Sequence, residues 1–272
     1  MFTHKLYLIE NKTPLHVGSG DANFDLVDRQ IQRDTLTSYP TIHASSLKGA
    51  LKEYCTFRHD TQESEKFLSH VFGDEDNAGK MRFTQAHLLS VPMRSNIEPY
   101  YHTTSPKALQ ELLDTVDVFS LSIEDKAALK KFASYTGKEI LVATKDAVIE
   151  DFTVKHSDEF DFEVLQRLIG APAAIVPNET FTELLKDLPV IARNQLKNGE
   201  SKNLWYEEVL PRKSKLYTLI SAPTYLNKND ETKLQNTFER LHNYLCDANT
   251  IHIGANASIG YGVTTFKELS HA

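Results

Sequence analysis

The chain has 272 residues, 40% of them apolar and 25% charged, and a formal net charge of −7. That length accommodates one large domain or two small ones with a real core, and the composition is that of an ordinary soluble protein. The acidic balance excludes a simple electrostatic nucleic-acid binder, which would be basic, and no apolar run approaches the ~20 residues of a membrane helix.

The N-terminal stretch "MFTHKLYLIENKTPL" carries neither a signal-peptide apolar region nor a small-residue cleavage site, so a cytoplasmic location is the expectation. Cys55 and Cys246 lie far apart in helical patterns and read as free thiols, with no Cys/His spacing for zinc. Charge is uneven. Acids gather in 63–76 and 150–163, bases at Arg29/Arg33, at Lys48/Lys52/Arg58 and in "PRKSK" (211–215), so a local basic groove on an acidic body is compatible with −7.

Short segments rich in β-branched and aromatic residues predict strands at 4–10, 81–90, 139–144, 172–176, 216–221, 250–253 and 262–268. "SSLKGALKEYCTF" predicts a helix with Ser45 or Ser46 as N-cap and Leu47, Ala50, Leu51 and Tyr54 on one face. "TSPKALQELLDTV" predicts another, capped by Ser105 with Pro106 at its first position. "SIEDKAALKKF" offers Ser122 and Asp125 at capping-box spacing. "FEVLQRLIG" ends at Gly170 as a C′ residue, and Leu234, Phe238, Leu241 and Leu245 form a stripe on a late helix. The alternation predicts an α+β core of ferredoxin type: a palm over about 1–94 and 191–272, with an insertion over about 95–190. The strand order is not legible.

Cofactor motifs fail. "GSGDAN" (18–23) opens like a dinucleotide fingerprint, but Asn23 stands where the third glycine belongs. No phosphate-binding Walker loop, HExxH or GxSxG is present. "IGANASIGYG" is more unusual: Gly254, Gly260 and Gly262, with Asn256 and Ser258, form either a glycine-rich turn or an anion-binding nest of exposed amides. The start of "ASSLKGALK" suits a phosphate through its free N–H groups and Lys48 and Lys52, or is plain capping. His16 reads as a polar loop residue, and Asp28 as an Asx turn or an ion pair with Arg29 or Arg33.

Taken in order, "LHVGSG", "VDRQIQRD", "YPTIHASSLKGALK", "RFTQAHLLSVPMRS", "TSPKALQELL", "NLWYEEVLPRKSKLY" and "IGANASIGYG" resemble the backbone RAMP-superfamily subunit of type III-B (Cmr) CRISPR effector complexes, from His4 to about Phe266. "SSLKGALK" and the glycine loop mark the superfamily, while "VD-x-x-IQRD" and "WYEEVLP" are more specific. The resemblance implies an RRM-like palm, a helical insertion and a protruding β-hairpin thumb, placed either in the insertion or around 195–210 at "LKNGESKN". It further implies an antiviral endoribonuclease that binds guide CRISPR RNA and cuts complementary single-stranded target RNA at regular intervals. Its partners would be other copies of itself in a helical filament and other effector subunits, with no membrane.

Carried over, Asp28 is the catalytic acid and the one protein ligand of an RNA-dependent Mg2+ or Mn2+. The RNA-binding set is His16, Gly18, Ser19, Gly20, Arg33, Ser45, Ser46, Lys48, Lys52, Gly254, Asn256, Ser258, Gly260 and Gly262. Glu207 and Glu208 occupy the family's acidic pair, with no role assigned. Two departures stand out: His43-Ala44 replaces Pro-Gly, and Gln85 stands where an aspartate is frequent, removing a polar anchor. A non-catalytic RNA scaffold, or a guide-processing relative working through histidine, are the competing readings.

Overall fold

The computed structural model describes residues 2–20, 27–58, 62–224, 228–247 and 250–271; the side chains of 62–64, 228–235 and 271 fall outside this description. Asn23 and the Leu234 side chain of the predicted stripe are therefore outside it.

The chain opens with β1 (Phe2–Asn11), whose "LYLI" centre does not alternate because both faces are covered. Tyr7 and Ile9 enter one core, Leu6 and Leu8 the other. Next come β2 (Thr41–Ile42), α1 (Ala44–Phe57), α2 (Gln62–Phe72), β3 (Arg82–Phe83) and β4 (Ala86–Met93). The middle of the chain supplies β5 (Tyr101–Thr104), α3 (Pro106–Val118), β6 (Ser122–Ile123), α4 (Lys126–Ala133), β7 (Ile140–Val142), β8 (Val148–Ile149), β9 (Phe152–His156), α5 (Phe162–Ile169), β10 (Ala173–Ile175) and α6 (Asn178–Leu184). It ends with β11 (Val190–Lys197), β12 (Glu200–Glu208), β13 (Lys215–Pro223), α7 (Lys228–Cys246), β14 (Ile251–His252), β15 (Val263–Glu268) and β16 (Ser270–His271).

The heart of the sheet runs β15-β1-β13-β4, every pair antiparallel. With α1 and α7 as crossovers, this is the ferredoxin arrangement of fourth, first, third and second strands. Leu47 and Leu51 of α1 and Phe238, Leu241 and Leu245 of α7 bury against one face, each such side chain contributing about 1.5–3 kcal/mol. The other face is closed by Leu109, Leu112, Leu113 and Val116 of α3, together with α4 and α5. The 95–190 segment thus covers the second face, and its strands prolong the sheet from β4 through β5, β10, β7, β9 and β8. β5 with β10 and β7 with β9 are the parallel pairs in that extension.

Local expectations divide. Ser105 accepts from the Ala108 N–H at 3.2 Å with Pro106 following, as its sequence predicts. The caps proposed at Ser45 or Ser46 are corrected: α1 begins at Ala44, His43 is its N-cap without a side-chain bond, and both serines lie inside the first turn. The Ser122–Asp125 capping box does not form either. Ser122 pairs in β6 with β16, and Asp125 sits at φ 55 without a capping bond because its carboxylate is taken by Arg167 at 2.8 Å. Gly170 is the C-cap itself, at φ 101; a Cβ there would lie 2.7 Å from His102 Nε2.

The two-stranded hairpin β11–β12 is a sheet of its own, lying at the later of the two places offered for a thumb, and the insertion carries the short antiparallel pair β8–β9 within the large sheet. Its turn is Asn198-Gly199, both at positive φ, the chemistry that a two-residue hairpin turn demands. Its root is buried at Glu207 and Glu208, whereas the rest stands largely exposed.

Candidate active site and nucleic-acid interface

Four segments meet at the hairpin root. Residues 15–19 and 29–33 form an irregular ladder with the bridge Gly18↔Ile31, and Leu15 bridges Leu210, just past β12. The 28–31 stretch then lies alongside β12. Arg29 N–H donates to the Tyr206 carbonyl at 3.1 Å, and Glu208 N–H to the Arg29 carbonyl at 2.9 Å. This clamp presents Asp28. Its side chain is exposed, and its Oδ2 accepts from the Tyr206 N–H at 2.8 Å.

The arginines expected to pair with Asp28 pair with the acids of "WYEEVLP" instead. Arg29 Nη1 binds Glu207 Oε1 at 3.1 Å, and Arg33 Nη2 binds Glu208 Oε1. The Asx turn forms at Asp34, whose Oδ1 accepts from the Leu36 and Thr37 amides at 3.0 and 2.9 Å. Gln85 is itself a polar anchor, correcting the expectation that it removes one: its Nε2 donates to Asp34 Oδ2 at 3.0 Å. Burial works to raise the Asp34 carboxyl, but these donors outweigh it and hold it below its ordinary value.

Glu207 is 1% exposed and saturated. Oε1 accepts from Arg29 Nη1 and from Trp205 Nε1 at 2.7 Å; Oε2 accepts from Arg193 Nε at 3.2 Å and Asn256 Nδ2 at 2.9 Å. Burial pushes this carboxyl up, yet Trp205, the nearby His16 and Arg193 together hold it below the usual range. Two stacks flank it: the Arg29 guanidinium lies 5.2 Å from the Trp205 ring centre, and Arg193 lies 4.5 Å from Tyr261 of the glycine loop.

His16 is not a surface group. It is 3% exposed, and its Nδ1 meets the Glu208 carbonyl at 2.7 Å, so Nδ1 carries a hydrogen and donates it. Gly18 leaves room for that ring, since a Cβ there would lie 3.2 Å from Nε2. Ser19 donates its N–H to the Gln30 carbonyl at 3.0 Å, and Gly20, at φ 86, faces open space. Gln32 connects this ladder to α1. Its Nε2 donates to the Gly18 carbonyl at 3.1 Å and Ser46 Oγ at 3.0 Å, while its Oε1 accepts from the His43 N–H at 2.7 Å. Ser46 therefore stands beside the ladder of 15–19 with 29–33, while Ser45 is exposed and Lys48 half-buried on α1.

In the glycine loop, Gly254 and Gly262 are packing positions: a Cβ would overlap the His16 carbonyl oxygen at the first and the Ile253 carbonyl oxygen at the second. Gly260, at φ 83 with open space around it, and exposed Ser258 lie on the loop's outer side. Asn256, at φ 67, turns its amide inward to Glu207.

Asp28, His16, Gly18, Arg33, Ser46, Gly254 and Asn256 are thus one constellation. Lys52 is not part of it, because its ammonium donates to the Gly73 carbonyl at 3.0 Å, at the end of α2. Arg33 belongs to it as a strut: its guanidinium also donates to the carbonyls of Ser38 and Leu185 at 2.9 Å. Sequence reasoning missed Gln32, Arg193, Trp205 and Tyr261. No local pattern marks a buried glutamine, and the β11 sequence does not alternate.

For a divalent cation the donor set is narrow. Asp28 offers Oδ1, a hard oxygen suited to Mg2+ or Mn2+, and no group of three metal-binding side chains occurs among the described residues. Asp28 fits as a single protein ligand, with water and RNA oxygens completing the shell.

A family model for the RAMP superfamily matches residues 8–265. The chain is 27% identical to the CRISPR system Cmr endoribonuclease Cmr4 of Pyrococcus furiosus, over 98% of this chain and 97% of that protein. It is 26% identical to the CRISPR system CMR subunit Cmr4 of Saccharolobus solfataricus, over 98% and 96%. Its fold resembles a chain of a type III-B Cmr-beta complex bound to cognate target RNA, with a TM-score of 0.79 and 21% identity, over 98% of this chain and 97% of that one. It also resembles oligomeric Cmr4 from Pyrococcus furiosus, with a TM-score of 0.75 and 23% identity, over 99% of each chain. The family model spans nearly the whole chain, and the chain belongs to the RAMP superfamily.

Proposed function

We propose that the chain is the backbone subunit of a type III-B CRISPR effector complex, which binds guide RNA and cuts complementary target RNA. Support comes from near full-length similarity to Cmr4 relatives, one of them called an endoribonuclease. The observation that carries the reading is the placement of Asp28: exposed, held through one oxygen by the Tyr206 amide, at the root of a protruding hairpin whose Glu207 bonds Asn256 of the glycine loop.

RNA brings its own nucleophile. The hairpin displaces a base pair and frees a ribose to align its 2′-oxygen with the adjacent phosphorus, and alignment of this kind removes several kcal/mol of barrier. The 2′-oxygen forms a bond to phosphorus as the bond from phosphorus to the 5′-oxygen breaks. The 2′-hydroxyl proton is lost and the departing 5′-oxygen gains one, leaving a 2′,3′-cyclic phosphate and a 5′-hydroxyl. Asp28 Oδ1 stands where that 2′-proton is held or taken. A divalent ion on the same oxygen would supply charge stabilisation at the phosphate. Lys48, the serines of the first α1 turn and the outer amides of the glycine loop contact phosphate and sugar, which positions RNA without reading its sequence. Copies stack along the guide, so weak contacts multiply and an acidic chain can hold RNA. Palm over 1–94 and 191–272 and insertion over 95–190 remain the working division.

The test is Asp28→Asn in the assembled complex with complementary RNA and Mg2+ or Mn2+. Cleavage is expected to fall at least 10³-fold while target binding persists. Cleavage at the wild-type rate refutes the role of Asp28. A wild-type complex that binds target and never cuts, with any divalent ion, makes the chain a scaffold.

A further inference from the structure

The hairpin that parts the duplex and the acid that cuts have to keep a fixed separation if cleavage is to fall at one phosphodiester. The Asp28–Tyr206 hydrogen bond and the backbone pairing of Arg29 with β12 join them directly. One buried carboxylate then ties that junction to its surroundings. Glu207 gathers Arg29 from the acid's own segment, Arg193 from β11, Trp205 from β12 and Asn256 from the glycine loop. Two donors on each oxygen use the full accepting capacity of a carboxylate. Removing the carboxylate leaves the Arg193 guanidinium, the Trp205 indole N–H and the Asn256 amide without that acceptor, and frees the exposed Arg29 to water. Arg193 Nη2 already lacks any partner, so Glu207 is the only acid holding that guanidinium among the described residues.

We propose that Glu207 is a positioning residue that fixes the register of cleavage, by locking the hairpin, the glycine loop and the Asp28 segment into one rigid body. This rests on the nuclease reading above. Glu208 serves a different purpose: it braces residues 31–33 through the Ile31 amide at 3.1 Å and Arg33, away from the glycine loop. With Glu207 unlocked, Asp28 would keep its chemistry but lose its alignment with the ribose freed by the hairpin.

The experiment uses the assembled complex, end-labelled complementary RNA, and a gel that resolves single nucleotides. Glu207→Gln keeps the shape but sets an NH2 group against two of the four donors. Cleavage of bound target is expected to slow about 10- to 100-fold, as for other groups that orient a reactive side chain, and the cuts to spread over neighbouring phosphodiesters, with target binding retained. Trp205→Phe removes one donor and keeps a smaller aromatic ring beside Arg29, and should spread the cuts less. Cuts by Glu207→Gln as sharp as wild type, at any rate, overturn the proposal, as does loss of target binding in step with cleavage. Should Glu207→Gln not fold, sharp wild-type cuts from Trp205→Phe overturn it. Failure of the two readings is distinguishable: a wild-type complex that never cuts, or wild-type cutting by Asp28→Asn, removes the nuclease reading and this inference together, whereas sharp cutting by both wild type and Glu207→Gln, with Asp28→Asn inactive, removes this inference alone.

Discussion

Asp28 and Tyr206, 178 residues apart in the chain, are joined by a 2.8 Å bond from the Tyr206 amide to Asp28 Oδ2. The donor is backbone, so no side chain at 206 was selected to make it. An acid held this way takes its position from β12, and the function proposed for it depends on that hold.

The glycine loop separates packing from binding. Gly254→Ala and Gly262→Ala push a methyl into carbonyl oxygens at positive φ and should each lower unfolding free energy by about 2 kcal/mol or more. Gly260→Ala meets open space and should cost only the left-handed strain, about 1–2 kcal/mol. Urea unfolding ranks the three. Equal losses at 254 and 260 would show that carbonyl overlap is not what demands glycine at 254.

Gln32→Ala removes the single side chain joining the Gly18 carbonyl, Ser46 and the His43 amide. Leaving these buried groups unmatched should cost about 1–3 kcal/mol. Cleavage should also slow, because the 15–33 ladder loses its tie to α1. Chemical denaturation alongside single-turnover cleavage checks both; a change under 0.5 kcal/mol would contradict this.

Stability should depend on pH through a buried pair at the junction of β5, α5 and β13. Burial, helped by the charge of Lys215, lowers the His102 imidazole to about 4. Burial lowers the Lys215 ammonium to about 8, with Glu10 opposing that shift and Lys12 and Lys213 adding to it. In both cases the unfolded chain binds the proton more readily, so stability rises with pH across each window. It should therefore fall as pH drops from about 6.5 to 4, and His102→Gln should lessen that fall. It should climb from about pH 8 toward 10.5, and Lys215→Met should flatten the climb. Urea midpoints at pH 4.5, 7, 8 and 10 measure this. Parallel profiles for variant and wild type would show that neither group is responsible.

All seven strands read from β-branched and aromatic runs are present, as are the five helices read from apolar spacing. These signals are local. A strand buried on both faces is written as "LYLI", and a helix N-terminus as Ser-Pro. Of the strands not legible in the sequence, β5 and β9 are short and are stabilised by partners elsewhere in the sheet, while β11 lacks alternation because its hairpin stands largely exposed. The failed caps have the same origin. Asp125 had an arginine to meet from α5, and the α1 N-terminus had Gln32 beside it.

At the site, the sequence by itself determined which residue types were available: an acid in "VDRQ", an acidic pair in "WYEE", glycines in "IGANASIGYG", and their order along the chain. Only the tertiary structure decided who pairs with whom. Arg29 and Arg33 passed over the adjacent Asp28 for carboxylates some 175 residues away, because Glu207 and Glu208 are buried and cannot be left unpaired, whereas Asp28 is in water and can. Burial is a property of the packed molecule, and it is burial that turned one acid into a strut and left the other at the surface.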